Sequence, residues 1–234
     1  MTVPRERERL ERIARVAAAA NAVDPGRAMC DACVAGLPVT GACIVLTAGG
    51  AAAVLARSDA TAGRIEDLQA TLGEGPCVDA CETGRPVGEP DLAAPRRPRW
   101  VAFAPAAVAL GAAAVFAIPL HLGAVRLGAL TLYRARAGEL SDEQYVDARG
   151  MAHVVALAVL AIQAQAPPGT LSPDLEPLAG FGAVVHQASG MVSVQLGVGV
   201  GEALVRLRAH AFAAGRDLAV VATDVVARRL RLDE

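Results

Sequence analysis

The chain has 234 residues, a formal net charge of -2 and 54% apolar residues, which is enough material for one large domain or two ordinary ones. All 22 basic residues are arginine, so the lysine needed for P-loop nucleotide binding or Schiff-base cofactor chemistry is absent. Aromatic residues make up only 3%, which argues against a sheet that stacks nucleic-acid bases on aromatic side chains.

The N-terminal segment, residues 1–22, is predicted to be a charged helix. Its apolar residues Leu10, Ile13, Val16 and Ala17 form one narrow stripe among alternating Glu and Arg. Such a stripe packs against the helix's own domain or against a second copy of the chain, and its narrowness slightly favours the second copy. The segment lacks the apolar run and cleavage site of a secretory signal. Together with an odd number of cysteines, five, this predicts a cytoplasmic protein with reduced thiols.

Residues 23–165 alternate between helical and strand patterns. Asp24 followed by Pro25 predicts a helix start, and two apolar runs around Gly49-Gly50 predict a β-hairpin. A second hairpin is predicted around Gly123, and a capping signature at Ser141 predicts the start of a long helix. This order indicates an α+β domain with a mostly antiparallel sheet flanked by helices.

One uncharged stretch, between Arg99 and Arg126, is long enough to cross a bilayer. It contains prolines and glycines, and its pattern changes midway from helical to strand-like. We therefore expect a buried helix and strand here, and no membrane partner.

Residues 166–178 are rich in proline and are predicted to be a linker. Residues 179–234 show a helical pattern throughout, with three separate apolar faces. Gly215 predicts a helix stop, and Asp217 is the predicted N-cap of the last helix. The C-terminal part is therefore predicted to be an all-α domain of three helices.

The run from about Thr40 to Ile162 resembles a GAF domain. The residues that carry the resemblance are LGEGPCVDACETGRPV and the two strand patterns AVFAIPLHL and VRLGALTLYR. GAF domains bind small ligands or dimerise, so the resemblance implies a sensory or dimerising role. We take Cys77, Asp79 and Trp100 as candidates for lining a ligand pocket; the ligand and any cofactor stay unknown.

The C-terminal run VVHQASGMVSVQLGVGVGEALVRLRAHAFAAGRDLAVVATDVVARRL resembles an ANTAR domain. The matching residues, at spacing typical of that family, are Ala188, Gly190, Met191, Ala203, Leu207, Arg208, Ala211, Leu218 and Ala222. Together the two halves look like the GAF and ANTAR transcription antitermination regulators of actinobacteria. The resemblance implies a non-enzymatic homodimer that binds paired hairpins in leader RNA and prevents an overlapping terminator from forming.

RNA recognition in such a module would combine polar side chains that read loop bases with arginines that bind phosphate. The six arginines of this part are almost balanced by five acidic residues, so its positive charge is weak. The candidate RNA-binding residues are Gln187, Ser189, Arg206, Arg208, His210, Arg216, Arg228 and Arg229.

Two other functions stay open. Cys77 is predicted at the start of a helix, whose dipole would lower the pKa of its thiol, and GAF-fold methionine-sulfoxide reductases carry a similar motif with catalytic cysteines. Alternatively, the chain is a GAF scaffold for protein interaction. Cys30 and Cys33 share one helix face without a second pair at zinc-site spacing, so we expect buried structural thiols and no metal.

The prediction of a homodimer rests on two features besides the resemblance. One is the apolar stripe of the N-terminal helix, and the other is the long helix that Ser141 begins. The apolar residues of that long helix are Met151, Val154, Val155, Ala158 and Ile162.

Overall fold

A computed structural model describes residues 3–48, 51–95, 99–167, 170, 172 and 176–232 of the chain. The predicted turn at Gly49-Gly50 and much of the predicted linker 166–178 lie outside these residues. In chain order the elements are α1 (Val3–Ala19), α2 (Pro25–Gly36), β1 (Gly41–Ala48), β2 (Ala51–Arg57), α3 (Ala60–Leu72), α4 (Pro76–Thr83), β3 (Val87–Glu89), α5 (Phe103–Ala109), β4 (Ala114–Leu122), β5 (Val125–Arg134), α6 (Asp142–Ala164), α7 (Glu176–Leu196), α8 (Val200–Ala213) and α9 (Leu218–Val226).

The five strands form one sheet in the order β2-β1-β5-β4-β3, and every neighbouring pair is antiparallel. The predicted antiparallel sheet flanked by helices is thereby confirmed. Gly128 decides how closely β5 approaches β1, because its φ is 151° and a side chain there would overlap the carbonyl oxygen of Val45. Only glycine combines that backbone angle with that close contact.

Helices cover both faces of the sheet. On one face α1, α2 and α6 pack over Ile44, Phe116 and Leu130. On the other face α3, α4 and α5 pack over Val45 and Val115. Successive residues of a strand point to opposite faces of the sheet. Because both faces are covered by helices, β1 and β4 need apolar residues on both sides, and their sequences are therefore nearly continuous hydrophobic runs.

The apolar stripe of α1 packs only in part within its own chain. Val16 is fully buried, Ile13 lies against Gly150 of α6, and the Arg12 guanidinium pairs with Asp147 of α6. The preference for a second copy of the chain as partner of this stripe stays a prediction, because the chain's own core covers Val16 and much of Ile13, while Leu10 is 59% exposed and Ala17 is exposed as well. Met151 of α6 is likewise buried in the chain's own core.

By length and composition α6 could cross a membrane, and α7 with α8 could do so if these helices, which meet at 102°, formed one span. Core helices of soluble proteins reach the same length and hydropathy, and 44% of the most apolar stretch of α6 is buried within the chain. The uncharged stretch between Arg99 and Arg126 forms α5 and β4, as predicted, rather than one long helix.

The last three helices enclose a core of their own, built around Val192, Leu207 and Val221. This confirms the predicted C-terminal helices, although α7 begins at Glu176, ahead of the predicted boundary at position 179. Asp217 occupies the N-cap position of α9, but its side chain accepts no capping hydrogen bond. In the chain, α7 contacts β2, while α8 and α9 contact α3.

Candidate functional site

A buried polar chain links α3 to the first turn of α4. The side-chain amide of Gln69 donates to Oε1 of Glu66 at 2.8 Å, and its Oε1 accepts the backbone N–H of Cys77 at 2.8 Å. Glu66, Gln69 and Cys77 are each at most 3% exposed. Gly75, with a φ of 127°, allows this arrangement, because a side chain there would overlap the amide oxygen of Gln69.

Burial shifts the pKa values of two of these side chains, Glu66 and Cys77. Desolvation raises the pKa of Glu66 to about 7, although nearby polar groups, among them the Gln69 amide that donates to it, oppose the rise. The pKa of the Cys77 thiol lies well above its ordinary value, first because of a hydrogen bond with Cys81 and then because of burial. The predicted lowering of the Cys77 pKa by the helix dipole is therefore wrong.

A cavity of about 280 Å³ opens beside these hydrogen-bonded side chains of Glu66, Gln69 and Cys77. One wall comes from β1, β2, α3 and the start of α4, and the opposite wall comes from residues 217–220 at the start of α9. Most lining side chains are apolar, and Glu66, Asp67 and Asp217 contribute carboxyl groups. Burial and the nearby Asp217 carboxylate raise the pKa of Asp67, while Arg57 lowers it.

The three predicted pocket residues separate into two places. Cys77 lines the cavity, whereas Asp79 and Trp100 are hydrogen-bonded to each other away from it. The indole Nε1 of Trp100 donates to Oδ2 of Asp79 at 3.1 Å. Close by, the Glu74 carboxylate accepts the backbone N–H groups of Ala102 and Phe103 at 3.0 and 3.2 Å, which caps α5. The glycine-rich loop thus positions α5 rather than forming the cavity by itself.

Sequence reasoning missed Glu66 and Gln69. They stand three residues apart in RIEDLQATL, a spacing that puts them on one helix face, and each directly follows an apolar residue, Ile65 or Leu68. That spacing is the available signal, but it does not reveal which face is buried.

The predicted RNA-binding residues differ widely in exposure. Gln187 and Arg228 are exposed, and His210 is half-buried. Ser189 is only 2% exposed, and its hydroxyl donates to the carbonyl oxygen of Val185 in the same helix. The prediction that Ser189 contacts RNA is therefore wrong for this packing of α7, because the residue faces the helical core.

The other predicted arginines have local partners. Arg206 pairs with Glu202 at 2.8 Å on the surface of α8. Arg216 and Arg229 both pair with Asp224, and these two bonds lower the pKa of that carboxyl. Arg208 is half-buried against α3. The C-terminal helices thus offer fewer exposed arginines without an ion-pair partner than their sequence suggests.

The cysteine pair of α2 is buried, as predicted. Burial raises the pKa of Cys33 to about 12 and raises the pKa of Cys30 as well. Thiols with such pKa values stay protonated at neutral pH and act as small apolar side chains. Within the described part of the chain, no cluster of three or more His, Cys, Asp or Glu side chains could hold a metal ion.

Comparison with known proteins supports a family assignment for the sheet-containing part. The family model described as GAF domain matches residues 25–160. No curated protein matches the chain.

Solved structures share the fold at low sequence identity. The GAF domain of a phosphoenolpyruvate-protein phosphotransferase from Coxiella burnetii is 16% identical, with a TM-score of 0.54 over 68% of this chain and 96% of its own. The nlh2 GAF domain of A. aeolicus is 12% identical, with a TM-score of 0.50 over 67% of this chain and 98% of its own. A free methionine-R-sulfoxide reductase from Thermoplasma acidophilum is 17% identical over 56% of this chain and 87% of its own, but its TM-score of 0.45 carries no weight for function.

Proposed function

Because this chain belongs to the GAF domain family, we propose that its sheet-containing part senses a small molecule and controls α7–α9 as an ANTAR-like, RNA-binding module. In this proposal the protein is a cytoplasmic regulator of transcription antitermination. The RNA-binding part of the proposal rests on the resemblance of the C-terminal sequence and on the three-helix core that it forms.

The observation that carries the proposal is the shared cavity. Its walls come both from the GAF sheet with α3 and from residues 217–220 of the C-terminal helices. A molecule bound there would touch both parts at once. Its affinity would therefore depend on how α9 lies against α3, and binding would shift that equilibrium in return.

The lining of the cavity restricts the ligand. Its volume of about 280 Å³ suits a compact molecule, and its walls are mostly apolar. The lining carboxyl groups of Glu66, Asp67 and Asp217 disfavour an anion and favour hydrogen-bond donors. We expect a small, largely apolar ligand with at least one donor group.

On the RNA side, the proposal uses the arginines that remain on the surface. Arg228 is exposed, Arg206 forms an exposed ion pair with Glu202, and the exposed Arg229 pairs with Asp224, which is only 19% exposed. Exposed ion pairs contribute little free energy, so a phosphate group can replace the carboxylate. Gln187 is exposed and can supply hydrogen bonds to loop bases.

The test is binding of the full chain to an RNA with two adjacent hairpins, measured by electrophoretic mobility. We expect Arg228→Ala with Arg229→Ala to weaken binding at least several-fold and to reduce its salt dependence. Arg149→Ala, which removes an exposed arginine from α6, is the matched control and should leave affinity unchanged. Equal binding to a single-hairpin RNA would contradict the antitermination proposal.

We do not propose an enzyme. A catalytic cysteine needs an accessible thiolate, whereas Cys77 is 2% exposed and has a raised pKa. Methionine-sulfoxide reductase activity that disappears in Cys77→Ser would overturn this view.

We propose that the protein acts as a homodimer. Val146, Leu157 and Leu160 lie along one side of α6 and are between 37% and 48% exposed. A second copy of the same helix would cover them. Sedimentation should show a dimer at micromolar concentration, and Leu157→Arg should produce a monomer.

A further inference from the structure

Arg208 extends from α8 onto the end of α3. A side chain added at Gly73 would overlap its guanidinium group, so the cation lies directly over the glycine that ends α3. The last turn of α3 contains no basic residue of its own. Because the C-terminal end of a helix carries partial negative charge, Arg208 supplies from another part of the chain the cation that α3 lacks.

An arginine also lies at the C-terminal end of α4, but this arginine belongs to the GAF domain itself. Gly84 ends α4 with φ and ψ of 67° and 21°, and Gly73 ends α3 with 67° and 24°. At α4 the cation is Arg126 of β5, whose Nη1 donates to the carbonyl oxygen of Glu82 at 2.7 Å. The two helix ends are thus matched in backbone conformation, while only the cation at α3 comes from the C-terminal helices.

The contact at α3 is the less satisfied of the two. The Nε atom of Arg208 is buried and has no hydrogen-bond partner among the described residues. Burial lowers the pKa of Arg208, and the charge of Glu82 only partly opposes this. A guanidinium group that loses water without gaining full hydrogen bonding contributes less to docking than its position suggests.

Loose packing around Arg208 points in the same direction. Besides the cavity at the start of α9, two further cavities of about 250 Å³ lie between α3 and the C-terminal helices. Their linings include Thr71 and Phe212. These clefts are open to solvent, so their lining atoms make few contacts across the interface, and less packing holds the C-terminal helices there than a continuous core would provide.

We propose that Arg208 acts as a releasable clasp: it holds α7–α9 against α3, and the docked state withholds this arginine from RNA. The withholding part rests on the proposed RNA-binding function. Release would free a guanidinium group for phosphate, the anion that it binds best. The clasp would thereby connect the state of the sensory domain to the affinity for RNA.

The test compares Gly73→Asn with Gly84→Asn in the full chain. Asparagine tolerates the left-handed backbone that both positions require. At position 73 its side chain must displace the Arg208 guanidinium, whereas at position 84 it meets Arg126 inside the GAF domain. Circular dichroism melting verifies that each variant folds; if Gly73→Asn does not, Phe212→Asp, which alters the same interface at a 46% exposed site, replaces it.

Two measurements follow on each variant. The first is modification of Arg208 by phenylglyoxal, followed by mass spectrometry, which reports release without involving RNA. We expect several-fold faster modification in Gly73→Asn and no change in Gly84→Asn. The second is affinity for the two-hairpin RNA, which we expect to rise several-fold in Gly73→Asn alone.

The outcomes separate the clasp from the proposed function. Unchanged Arg208 modification in a folded Gly73→Asn protein overturns the clasp. Faster modification with unchanged, measurable RNA affinity overturns the withholding of Arg208. Faster modification in a chain that binds no RNA in any form supports the clasp and overturns the RNA-binding function.

Discussion

The indole N–H of Trp100 is bonded to the carboxylate of Asp79 at 3.1 Å, and this joins the segment before α5 to helix α4. Trp100 has a φ of 56°, in the left-handed region that large side chains rarely adopt. Its ring is 7% exposed, and the Arg99 guanidinium lies 3.9 Å from the ring centre. Such a backbone conformation persists only where surrounding contacts hold it, and the bond to Asp79 is one of them.

The first prediction concerns this bond. Asp79→Ala leaves the buried indole N–H without its acceptor and should lower the free energy of unfolding by about 1–3 kcal/mol. Asp79→Asn keeps an acceptor oxygen and loses mainly the ion pair with Arg99, so it should cost less than about 1 kcal/mol. Urea denaturation followed by the fluorescence of the single tryptophan measures both. Equal losses in the two variants would show that charge, rather than the hydrogen bond, matters here.

The second prediction is a pH dependence set by Glu66. Burial raises its pKa from 4.5 to about 7, so between these values the folded protein keeps a proton that the unfolded chain has released. Stability from this group is therefore fully present below pH 4.5, falls as the pH rises towards 7, and is constant above that. The whole change is on the order of 3 kcal/mol.

Glu66→Gln removes this titration. Urea denaturation between pH 4.5 and 8 should give a flatter stability profile for the variant, which should be more stable than the unmodified chain at pH 8. Glu143→Gln, at an exposed site on α6, is the control and should preserve the original profile. A Glu66→Gln profile as steep as the original would assign the pH dependence to another group.

The third prediction compares two glycines of the second hairpin. Gly128 has a φ of 151° and lies against the backbone of Val45, whereas Gly123 has a φ of 57° with open space around it. Gly123→Ala should cost about 1 kcal/mol for its backbone conformation alone. Gly128→Ala must also push β5 away from β1 and should cost more than about 4 kcal/mol or prevent folding. Thermal melts of equal midpoint would refute the close approach of these strands.

The fourth prediction compares two helix caps. Ser141 accepts the N–H of Gln144 at 3.3 Å while Gln144 accepts the N–H of Ser141 at 2.9 Å, so Ser141→Ala should cost about 1 kcal/mol. Asp217 makes no capping bond, and Asp217→Ala should cost less than about 0.5 kcal/mol. Asp217→Ala should also lower the pKa of Asp67, because the Asp217 carboxylate raises it; NMR titration of the carboxyl carbons can follow this change. A larger loss at position 217 than at position 141 would contradict the capping geometry.

Local pattern predicted most of the elements. The capping box at Ser141, the helix start at Asp24 and the hairpin around Gly123 each depend on residues within a few positions of one another, and all three are present. The three C-terminal helices also appear in the predicted order. Periodicity of 2 or 3.6 residues is a property of the chain itself, so it can be read without coordinates.

Partner choice could not be predicted in the same way. The stripe on α1 was visible, but the packing of its Ile13 against α6 was not, because an apolar face does not specify what packs against it. The polar chain from Glu66 to Cys77 and the burial of Ser189 escaped prediction for a related reason. Whether a polar side chain is buried depends on how neighbouring elements are placed in space.

The helices and strands, the apolar faces and the resemblance of residues 40–162 to a GAF domain thus follow from residues that are close together in the chain. Three features depend on the folded arrangement: Arg208 lies over Gly73, Cys77 carries a raised rather than a lowered pKa, and one cavity has walls from both parts of the chain. The reason is that desolvation and charge interaction depend on distance through space, and residues far apart in the chain meet only after folding.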